Sequence, residues 1–282
     1  MTLKEALNKG ISILKSSNTE APAVEAGVML CSAVDRNKVF LYAHGDFEMN
    51  EKEVQIFFEM LRRRALRVPL QYITGRQEFM SLEFLVSPDV LIPRQDTEIL
   101  VEAVIQRAAN MPLECLRILD IGTGSGCIAV SLAYYLKNCT VTAVDISEKA
   151  LGMARLNAAN AGVGDKVEFV RGNLFEAIED RAFDIIVSNP PYIPKADIDG
   201  LQVEVKDYEP RSALDGGGDG LDFYRKIAEK STGFLATDGI LAFEVGLSQA
   251  GHVSKLMEIG FCDIKVFKDL AGIDRVVMGK LR

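Results

Sequence analysis

The chain has 282 residues, 48% of them hydrophobic and 26% charged, with a formal net charge of −8. This composition is typical of a soluble globular protein. The acidic balance argues against strong sequence-independent binding to DNA or RNA, which depends on Lys and Arg neutralising phosphates. No apolar run approaches the roughly 18 residues of a membrane span, so we expect no membrane association and a cytoplasmic location. Five scattered cysteines without a C-x-x-C pair predict neither disulfides nor a metal site.

The first part of the chain has helical patterning. Apolar residues such as Leu3, Leu7 and Leu14 recur at helical spacing over residues 2 to about 70, with breaks at 16–22 and 44–46. We predict a small helical domain over residues 1–75. Arginines at positions 62, 63, 64 and 67 cluster in it, and a solvated helix face is the preferred interpretation over a local basic patch.

From Leu70 to Leu91 the pattern becomes strand-like and is closed by Pro88-Asp89. It predicts a β-hairpin linker, which we place at residues 76–93. A second domain then spans 94–282, and Asp96 is expected to cap its first helix.

Strands and helices alternate through this second domain. Predicted strands cover residues 116–121, 140–145, 167–170, 183–188, 240–245, 263–267 and 275–279, and predicted helices begin at 125, 148, 221 and 249. Nearly continuous apolar strands separated by helices indicate an α/β fold whose parallel sheet is covered on both faces. Ligands of such sheets bind beyond the carboxyl ends of the strands.

A glycine-rich loop follows the first of these strands. Residues 120–126 read Asp-Ile-Gly-Thr-Gly-Ser-Gly, a G-x-G-x-G spacing that lets a ligand approach the backbone closely. Cys127-Ile128 supplies no glycine in the G-x-G-x-x-G register of dinucleotide sites. The loop therefore favours a ligand without pyrophosphate, such as S-adenosylmethionine, over NAD.

Polar residues at the ends of the next strands extend this prediction. Asp145 ends the second strand, where a carboxylate can accept both ribose hydroxyls. Asn173 and Leu174 follow the third strand, where Asn173 can bond the edge of an adenine and Leu174 can pack on its face; a helix cap followed by core residues is the alternative. Asp120 either orders the loop or attracts the cationic end of the cofactor.

The motif Asn189-Pro190-Pro191-Tyr192 stands directly after an apolar strand. The Asn189 side-chain oxygen and the Pro190 carbonyl can accept two N–H groups of one planar nitrogen. Two prolines restrict the backbone and donate nothing, and Tyr192 can stack on a flat amide or base. The motif indicates an enzyme that holds an amide or amine nitrogen.

These motifs together resemble class I S-adenosylmethionine-dependent methyltransferases that act on nitrogen. Three further segments narrow the resemblance to the PrmC/HemK family of protein-glutamine N5-methyltransferases: the run 69–75 reading Pro-Leu-Gln-Tyr-Ile-Thr-Gly, the run 90–98 with Ile92-Pro93-Arg94 and Thr97-Glu98, and Glu209-Pro210-Arg211 followed by the glycine-rich run 213–221. Gln95-Asp96 replaces a common Pro-Glu of the family, and Asn173 replaces a common Asp.

The resemblance implies a Rossmann-like, mostly parallel seven-stranded sheet with an antiparallel edge hairpin. It also implies methyl transfer from S-adenosylmethionine to the Gln amide in the Gly-Gly-Gln motif of class 1 peptide chain release factors, docked partly by the helical domain. The implied substrate contacts and catalytic residues are Asn189, Pro190, Pro191 and Tyr192. The implied cofactor contacts are Gly122, Thr123, Gly124, Ser125, Gly126, Asp145, Asn173, Leu174 and Asn189, with Leu91, Arg94 and Thr97.

Three other functions compete with this interpretation. An adenine-N6 or cytosine-N4 nucleic-acid methyltransferase uses the same Asn-Pro-Pro-Tyr chemistry on a flipped base, but the acidic charge opposes it. A non-catalytic cofactor-binding protein is disfavoured by the intact Asp145 and Asn189. A nicotinamide oxidoreductase is disfavoured by the glycine spacing.

Overall fold

A computed structural model describes residues 1–17, 19–111, 114–179 and 182–282. Its contacts divide the chain into two compact units, residues 1–76 with 202–208, and residues 77–201 with 209–282. The helices are α1 Leu3–Ser16, α2 Pro22–Val34, α3 Lys38–Ala43, α4 Glu51–Ala65, α5 Leu70–Thr74, α6 Gln95–Ala108, α7 Cys127–Tyr135, α8 Glu148–Asn160, α9 Val203–Lys206, α10 Asp222–Ser231 and α11 Ala250–Met257.

The strands are β1 Arg76–Phe79, β2 Leu82–Leu85, β3 Leu116–Ile121, β4 Cys139–Asp145, β5 Val167–Arg171, β6 Phe183–Ser188, β7 Leu235–Glu244, β8 Phe261–Lys268 and β9 Asp274–Leu281. Short 3₁₀ turns cover Ile198–Gly200 and Arg211–Ala213. The predicted strands agree with β3 to β9 except at their ends, and β7 begins five residues earlier than the sequence pattern indicates.

The first unit is a helical bundle with its own core. Helices α1 and α4 begin with capping boxes, at Thr2 with Glu5 and at Asn50 with Glu53. Their buried faces meet α2 in a cluster that includes Leu14, Met29, Leu30, Phe57 and Leu61. Leucine and methionine at helical spacing therefore form the core that the sequence pattern indicates.

The interpretation of residues 70–74 as strand-like was wrong, because these residues form helix α5. Pro69 sits at the N-cap, where its missing N–H costs nothing, and Gly75 closes the helix at φ +76°. Proline before and glycine after a short segment are helix boundaries. The apolar pair Tyr72 and Ile73 is buried in one helical turn.

The arginine cluster is also different from the solvated face that we expected. Arg64 is buried and pairs with Glu25 and with Glu204 of α9, and Arg67 pairs with the same Glu204. Arg62 remains exposed and pairs with Glu59. The charges at positions 62, 64 and 67 are therefore neutralised within the first unit.

The second unit contains a seven-stranded sheet in the order β5-β4-β3-β6-β7-β9-β8. Strands β3 to β7 pair in parallel, while β9 is antiparallel to both β7 and β8. Hydrophobic clusters cover both faces of the sheet. This architecture confirms the predicted α/β class with a mostly parallel sheet and an antiparallel edge hairpin.

A separate two-stranded hairpin, β1 with β2, precedes α6. Its turn residues Met80 and Ser81 both have positive φ, at 50° and 57°, which is the geometry of a tight hairpin turn. The prediction that Asp96 caps α6 was wrong. The N-cap residue is Arg94, without a side-chain cap, and Asp96 lies in the first helical turn, where an acid still favours the helix dipole.

The parallel strands bring their carboxyl ends to one edge of the sheet. Asp145, Ser188 and Glu244 are the last residues of β4, β6 and β7. Loops that follow parallel strands meet at this edge, so the glycine-rich loop and the Asn-Pro-Pro-Tyr turn face the same side. Within the described ranges, no helix has both the length and the apolar character needed to cross a membrane.

Candidate active site

A cavity of about 460 Å³ opens at the carboxyl edge of the sheet. Nine of the residues that the sequence marks as site candidates line it: Leu91, Gly122, Gly124, Asp145, Asn173, Leu174, Asn189, Pro190 and Pro191. Its volume lies within the range of small-molecule sites. The fold therefore brings the glycine-rich loop, the end of β4 and the Asn-Pro-Pro-Tyr turn to one cavity.

The glycine-rich loop exposes its backbone to this cavity. Gly122 and Gly124 have φ of +77° and +56°, and a Cβ on either would meet nothing within 4 Å. Gly126 has a different task, since a Cβ there would lie 2.9 Å from the Cβ of Ala154 in α8. The first two glycines leave space for a ligand, and the third allows α7 and α8 to pack closely.

Thr123 and Ser125, the two other loop residues, are buried and do not line the cavity. The Thr123 hydroxyl donates to Asp120 Oδ2 at 2.6 Å. Asp120 is fully buried and is not part of the cavity wall. Of the two roles considered for Asp120, the structure favours ordering of the loop over attraction of a ligand.

The Asp145 carboxylate also holds the glycine-rich loop in position. Its Oδ2 accepts from the Gly124 N–H and its Oδ1 accepts from the Ser147 N–H, both at 2.9 Å. A carboxylate offers about four acceptor positions, so each oxygen of Asp145 keeps one for a ligand. The two backbone bonds fix the direction in which those positions face.

Burial changes the acidity of Asp120. Desolvation raises the pKa of its carboxyl to about 7, and the Thr123 hydroxyl and the Ala129 N–H partly oppose this. The unfolded chain releases this proton near the ordinary value of 3.8, whereas the folded protein keeps it up to about pH 7. The folded state thus binds the additional proton between these values.

The free energy of unfolding is therefore expected to fall as pH rises from about 4 to 7, by about 1.4 kcal/mol per pH unit from this group. Asp120→Asn keeps a hydrogen-bond acceptor for Thr123 but removes the titrating carboxyl. The free energy of unfolding of this variant should therefore vary less with pH than that of the wild type. Urea unfolding of the unliganded protein at several pH values, followed by circular dichroism because the chain has no Trp, measures the difference. If the free energy of unfolding changed with pH in the same way in the wild type and in Asp120→Asn, the raised pKa assigned to Asp120 would be contradicted.

Asn173 and Leu174 both line the cavity. Leu174 has φ +57°, an uncommon backbone conformation for a branched residue. The Asn173 Nδ2 donates to Glu176 Oε1 at 2.9 Å, which leaves its Oδ1 available as an acceptor. Residue 174 thus adopts a left-handed conformation at the wall of the cavity, a feature that functional sites often contain.

The Asn-Pro-Pro-Tyr turn is held by its neighbours. Ile193 forms a bridge to Asp215, and the Gly216 N–H donates to the Ile193 carbonyl at 2.9 Å. The Gln249 Nε2 donates to the Tyr192 carbonyl at 2.9 Å, and its Oε1 accepts from the Gly246 N–H at 3.0 Å. Backbone bonds on one side and one glutamine on the other fix the position of the turn.

Glycines make room for this turn. A Cβ at Gly216 would lie 2.7 Å from the Tyr192 Cα, and one at Gly220 would lie 2.3 Å from the Tyr192 carbonyl oxygen. A Cβ at Gly246 would lie 2.9 Å from the Tyr192 ring. Three glycines are therefore required where other loops approach the turn.

Arg94, Thr97 and Tyr192 do not line the cavity. The Arg94 Nη2 donates to both oxygens of Glu209, at 2.6 and 2.7 Å. Burial raises the pKa of Glu209, and Arg94 opposes the shift. Burial also raises the pKa of Tyr192 above its ordinary value. The structure thus gives Arg94 a partner in Glu209 rather than a position at the cavity wall.

Gln249 and Glu244 of this region were not among the predicted site residues. Gln249 looks like an ordinary helix start, and Glu244 like the polar end of a strand. The only signal for Glu244 was a carboxylate directly after the apolar run 240–243, at the edge where ligands bind. Thr97 was predicted as a cofactor contact, but it accepts a hydrogen bond from the Asn189 Nδ2 at 3.2 Å.

Residues 95–205 match the family described as Methyltransferase small domain, and residues 5–75 match the PrmC N-terminal domain. A protein of Geobacter sulfurreducens named Release factor glutamine methyltransferase is 44% identical over 281 residues, covering 99% of this chain and 97% of the relative. The chain belongs to the release factor glutamine methyltransferase family. A relative of the same name from Moorella thermoacetica is 43% identical over 100% of this chain and 99% of its own length.

The family membership confirms the resemblance and makes the chain a methyltransferase. Solved structures agree on the fold. A methyltransferase from Pyrococcus furiosus is 19% identical with a TM-score of 0.52, covering 72% of this chain and 90% of its own. The hMettl16 catalytic domain, solved with an RNA hairpin, is 17% identical with a TM-score of 0.56, covering 78% and 81%. At these identities the likeness concerns the fold alone.

Proposed function

We propose that this enzyme transfers a methyl group from S-adenosylmethionine to the side-chain amide nitrogen of the Gln in the Gly-Gly-Gln motif of class 1 peptide chain release factors. Full-length similarity to relatives named Release factor glutamine methyltransferase supports the substrate. The single structural observation that carries the chemistry is the common cavity of the glycine-rich loop, Asp145 and Asn189-Pro190.

The cavity fits S-adenosylmethionine. Open space over Gly122 and Gly124 suits a ligand that lies against the backbone. Asp145, with one acceptor position left on each oxygen, suits the two hydroxyls of a ribose. Asn173 and Leu174 offer an acceptor and an apolar surface for an adenine. When bound, S-adenosylmethionine would supply a methyl group on a positively charged sulfur: the N–C bond would form as the S–C bond breaks, the neutral thioether would leave, and the nitrogen would lose one proton to water.

The acceptor nitrogen needs help from the protein. An amide nitrogen is a poor nucleophile because its lone pair is delocalised into the carbonyl. Asn189 Oδ1 and the Pro190 carbonyl would accept its two N–H groups and hold the lone pair in line with the methyl group. Positive charge grows on those N–H groups during transfer, so fixed acceptors bind the transition state more strongly than the substrate.

The remaining motif residues would shape this acceptor site. Pro190 and Pro191 restrict the backbone and donate no hydrogen bonds, so the acceptors keep their direction. Tyr192 does not line the cavity, so stacking of its ring on the flat carboxamide would require the substrate to reach past the cavity wall. Arg94, through its pair with Glu209, would support the nearby loop rather than contact the cofactor.

A nucleic-acid methyltransferase is the alternative, and we place it second. The solved structures of similar fold include the T. Thermophilus 16S rRNA N2 G1207 methyltransferase in complex with AdoMet and guanosine, 18% identical over 73% of this chain and 50% of its own, TM-score 0.52. The net charge of −8 opposes binding to phosphates, and Arg62, Arg64 and Arg67 of the arginine cluster are paired with carboxylates of the same unit. We propose that the helical unit docks the release factor and that the enzyme works in the cytoplasm, where release factors act.

Incubation with labelled S-adenosylmethionine and, separately, purified release factor, DNA and RNA tests the proposal. Label is expected on the release factor alone, and mass spectrometry of its peptides should place the methyl group on the Gln of the Gly-Gly-Gln motif. A release factor with Asn at that position is the matched control and should remain unlabelled. Label on DNA or RNA, or on another residue of the factor, would contradict the proposal.

A further inference from the structure

We propose that Glu244 is a positioning residue that acts through Thr97 to set which end of the Asn189 amide faces the substrate. The inference rests on the proposed role of Asn189 in holding the acceptor nitrogen. It assigns a task to a buried acid that the transfer step does not itself use, and it changes the predicted task of Thr97 from a cofactor contact to a link in a hydrogen-bond chain.

The two ends of the Asn189 amide have opposite chemistry. Its Oδ1 accepts hydrogen bonds and its Nδ2 donates them. Only Oδ1 can hold an N–H of the substrate, because a flipped amide would place its own N–H groups against those of the glutamine. In the structure Nδ2 donates to Thr97 Oγ1 at 3.2 Å, so Oδ1 is the end left for the substrate.

Thr97 alone cannot fix this direction. A hydroxyl both donates and accepts, so it could pair with either end of the Asn189 amide. The direction is fixed only if a neighbour that solely accepts takes the hydroxyl proton. Glu244 is such a neighbour: Ser188 of β6 pairs with Phe243 of β7, which puts Glu244 beside Asn189, and the side chains of Thr97 and Asn189 lie near enough to its carboxyl to lower its pKa.

Glu244 stands at the last position of β7 and is 2% exposed. Its Oε2 has no hydrogen-bond partner among the described residues. The nearby Tyr224 hydroxyl donates to the Glu244 backbone carbonyl at 2.9 Å rather than to the carboxyl. Within the described part of the chain the carboxyl forms no salt bridge, and the side chains nearest to it that the active site uses are Thr97 and Asn189.

A buried carboxyl such as that of Glu244 destabilises the folded protein when it is ionised. Burial raises the pKa of Glu244 to about 7 and Asp96 adds to the shift, while Thr97, Arg275 and Asn189 oppose it. A buried carboxyl weakens the fold whenever it is ionised, and strongly perturbed acids concentrate at functional sites. This destabilisation is explained if the ionised carboxylate of Glu244 is needed to accept a hydrogen bond from the Thr97 hydroxyl.

Glu244→Gln tests the chain with almost no change in volume. Its amide can donate to Thr97 and thereby reverse the direction of the hydrogen bonds. At about pH 8.5, above the pKa of Glu244, we expect kcat for release-factor methylation to fall about tenfold or more. The Kd for S-adenosylmethionine, measured by calorimetry, should change less than about threefold. The exposed Asn160→Ala in α8 is the control and should behave as the wild type.

A double-mutant cycle separates positioning from a general loss of structure. If Glu244 acts through Asn189, adding Glu244→Gln to Asn189→Ala should lower the single-turnover rate no further. Losses that multiply in the double variant would overturn the proposal. So would a Glu244→Gln enzyme with a kcat within about twofold of the wild type.

Thr97 variants distinguish the two roles given to that residue. Thr97→Val removes the hydroxyl and should lower kcat about tenfold with unchanged cofactor affinity, and Thr97→Ser should recover most of that loss. Weaker cofactor binding by Thr97→Val with normal kcat would instead support a cofactor contact and overturn the inference. A wild-type enzyme that leaves the release factor unlabelled would contradict the proposed function, a result separate from any variant.

Discussion

Asn189→Ala is expected to lower kcat for methylation of the release factor by about 10²- to 10³-fold. Removal of one preorganised hydrogen-bond partner of a transition state typically has an effect of this size. The loss should appear in kcat more than in KM, because the bond strengthens as positive charge develops on the amide N–H groups. The Pro190 carbonyl remains in the variant, so some activity should persist.

Binding of S-adenosylmethionine is the second measurement for this variant. Asn189 lines the cavity, but Gly122, Gly124 and Asp145 keep their positions without its side chain. The Kd should therefore change only a few-fold, and the circular dichroism spectrum should match the wild type. Asn173→Ala is the comparison variant, since it removes an equal group from another wall of the cavity and should affect Kd more than kcat. A kcat loss below tenfold in a folded Asn189→Ala enzyme would contradict the assigned role.

The sequence predicts the parts of this site that depend on local pattern. G-x-G-x-G predicts positive φ and open space beside the backbone, and Gly122 and Gly124 have both. Asp145 ends an apolar strand and Asn189 directly follows another. Parallel pairing of the strands then places both residues at one edge of the sheet. These predictions succeed because a motif, its strand and the edge of the sheet are linked by geometry alone.

Most of the failures concern groups that meet across long distances in the chain. Gln249 bonds to Tyr192, and Thr97 bonds to Asn189. Neither pair has a local sequence signal, because register and packing decide which side chains meet. Helix α5 was missed for a local reason. Two adjacent buried apolar residues, Tyr72 and Ile73, are compatible with one helical turn as well as with a strand. Arg64 was misplaced because its partner Glu204 lies far along the chain.

Gly216→Ala should also reduce turnover strongly, although residue 216 is not among the residues of the cavity wall. The glycine does not have positive φ, so the substitution causes no backbone strain of its own. The new Cβ would instead lie 2.7 Å from the Tyr192 Cα and 2.8 Å from the Pro191 carbonyl oxygen. Backbone atoms cannot rotate away, so the loop and the Asn-Pro-Pro-Tyr turn must separate.

The consequence for catalysis follows from the geometry of transfer. Displacement of reacting groups by about 1 Å can cost about 10²-fold in rate, so we expect a kcat loss of that order. The Kd for S-adenosylmethionine should change little, because Gly122, Gly124 and Asp145 lie on other elements of the chain. Overpacking should also lower the free energy of unfolding by about 1–3 kcal/mol, which leaves a folded protein to assay at low temperature.

Gly218→Ala, two residues along the same loop, is the matched control. Gly218 is exposed, and a Cβ there would meet nothing within 4 Å. Its replacement should leave kcat and Kd near the wild-type values and should stabilise slightly, since alanine restricts the unfolded chain. The comparison isolates contact with the turn from the general effect of removing a loop glycine. Equal activity of the two variants would mean that the turn tolerates displacement and that its position is not what limits methyl transfer.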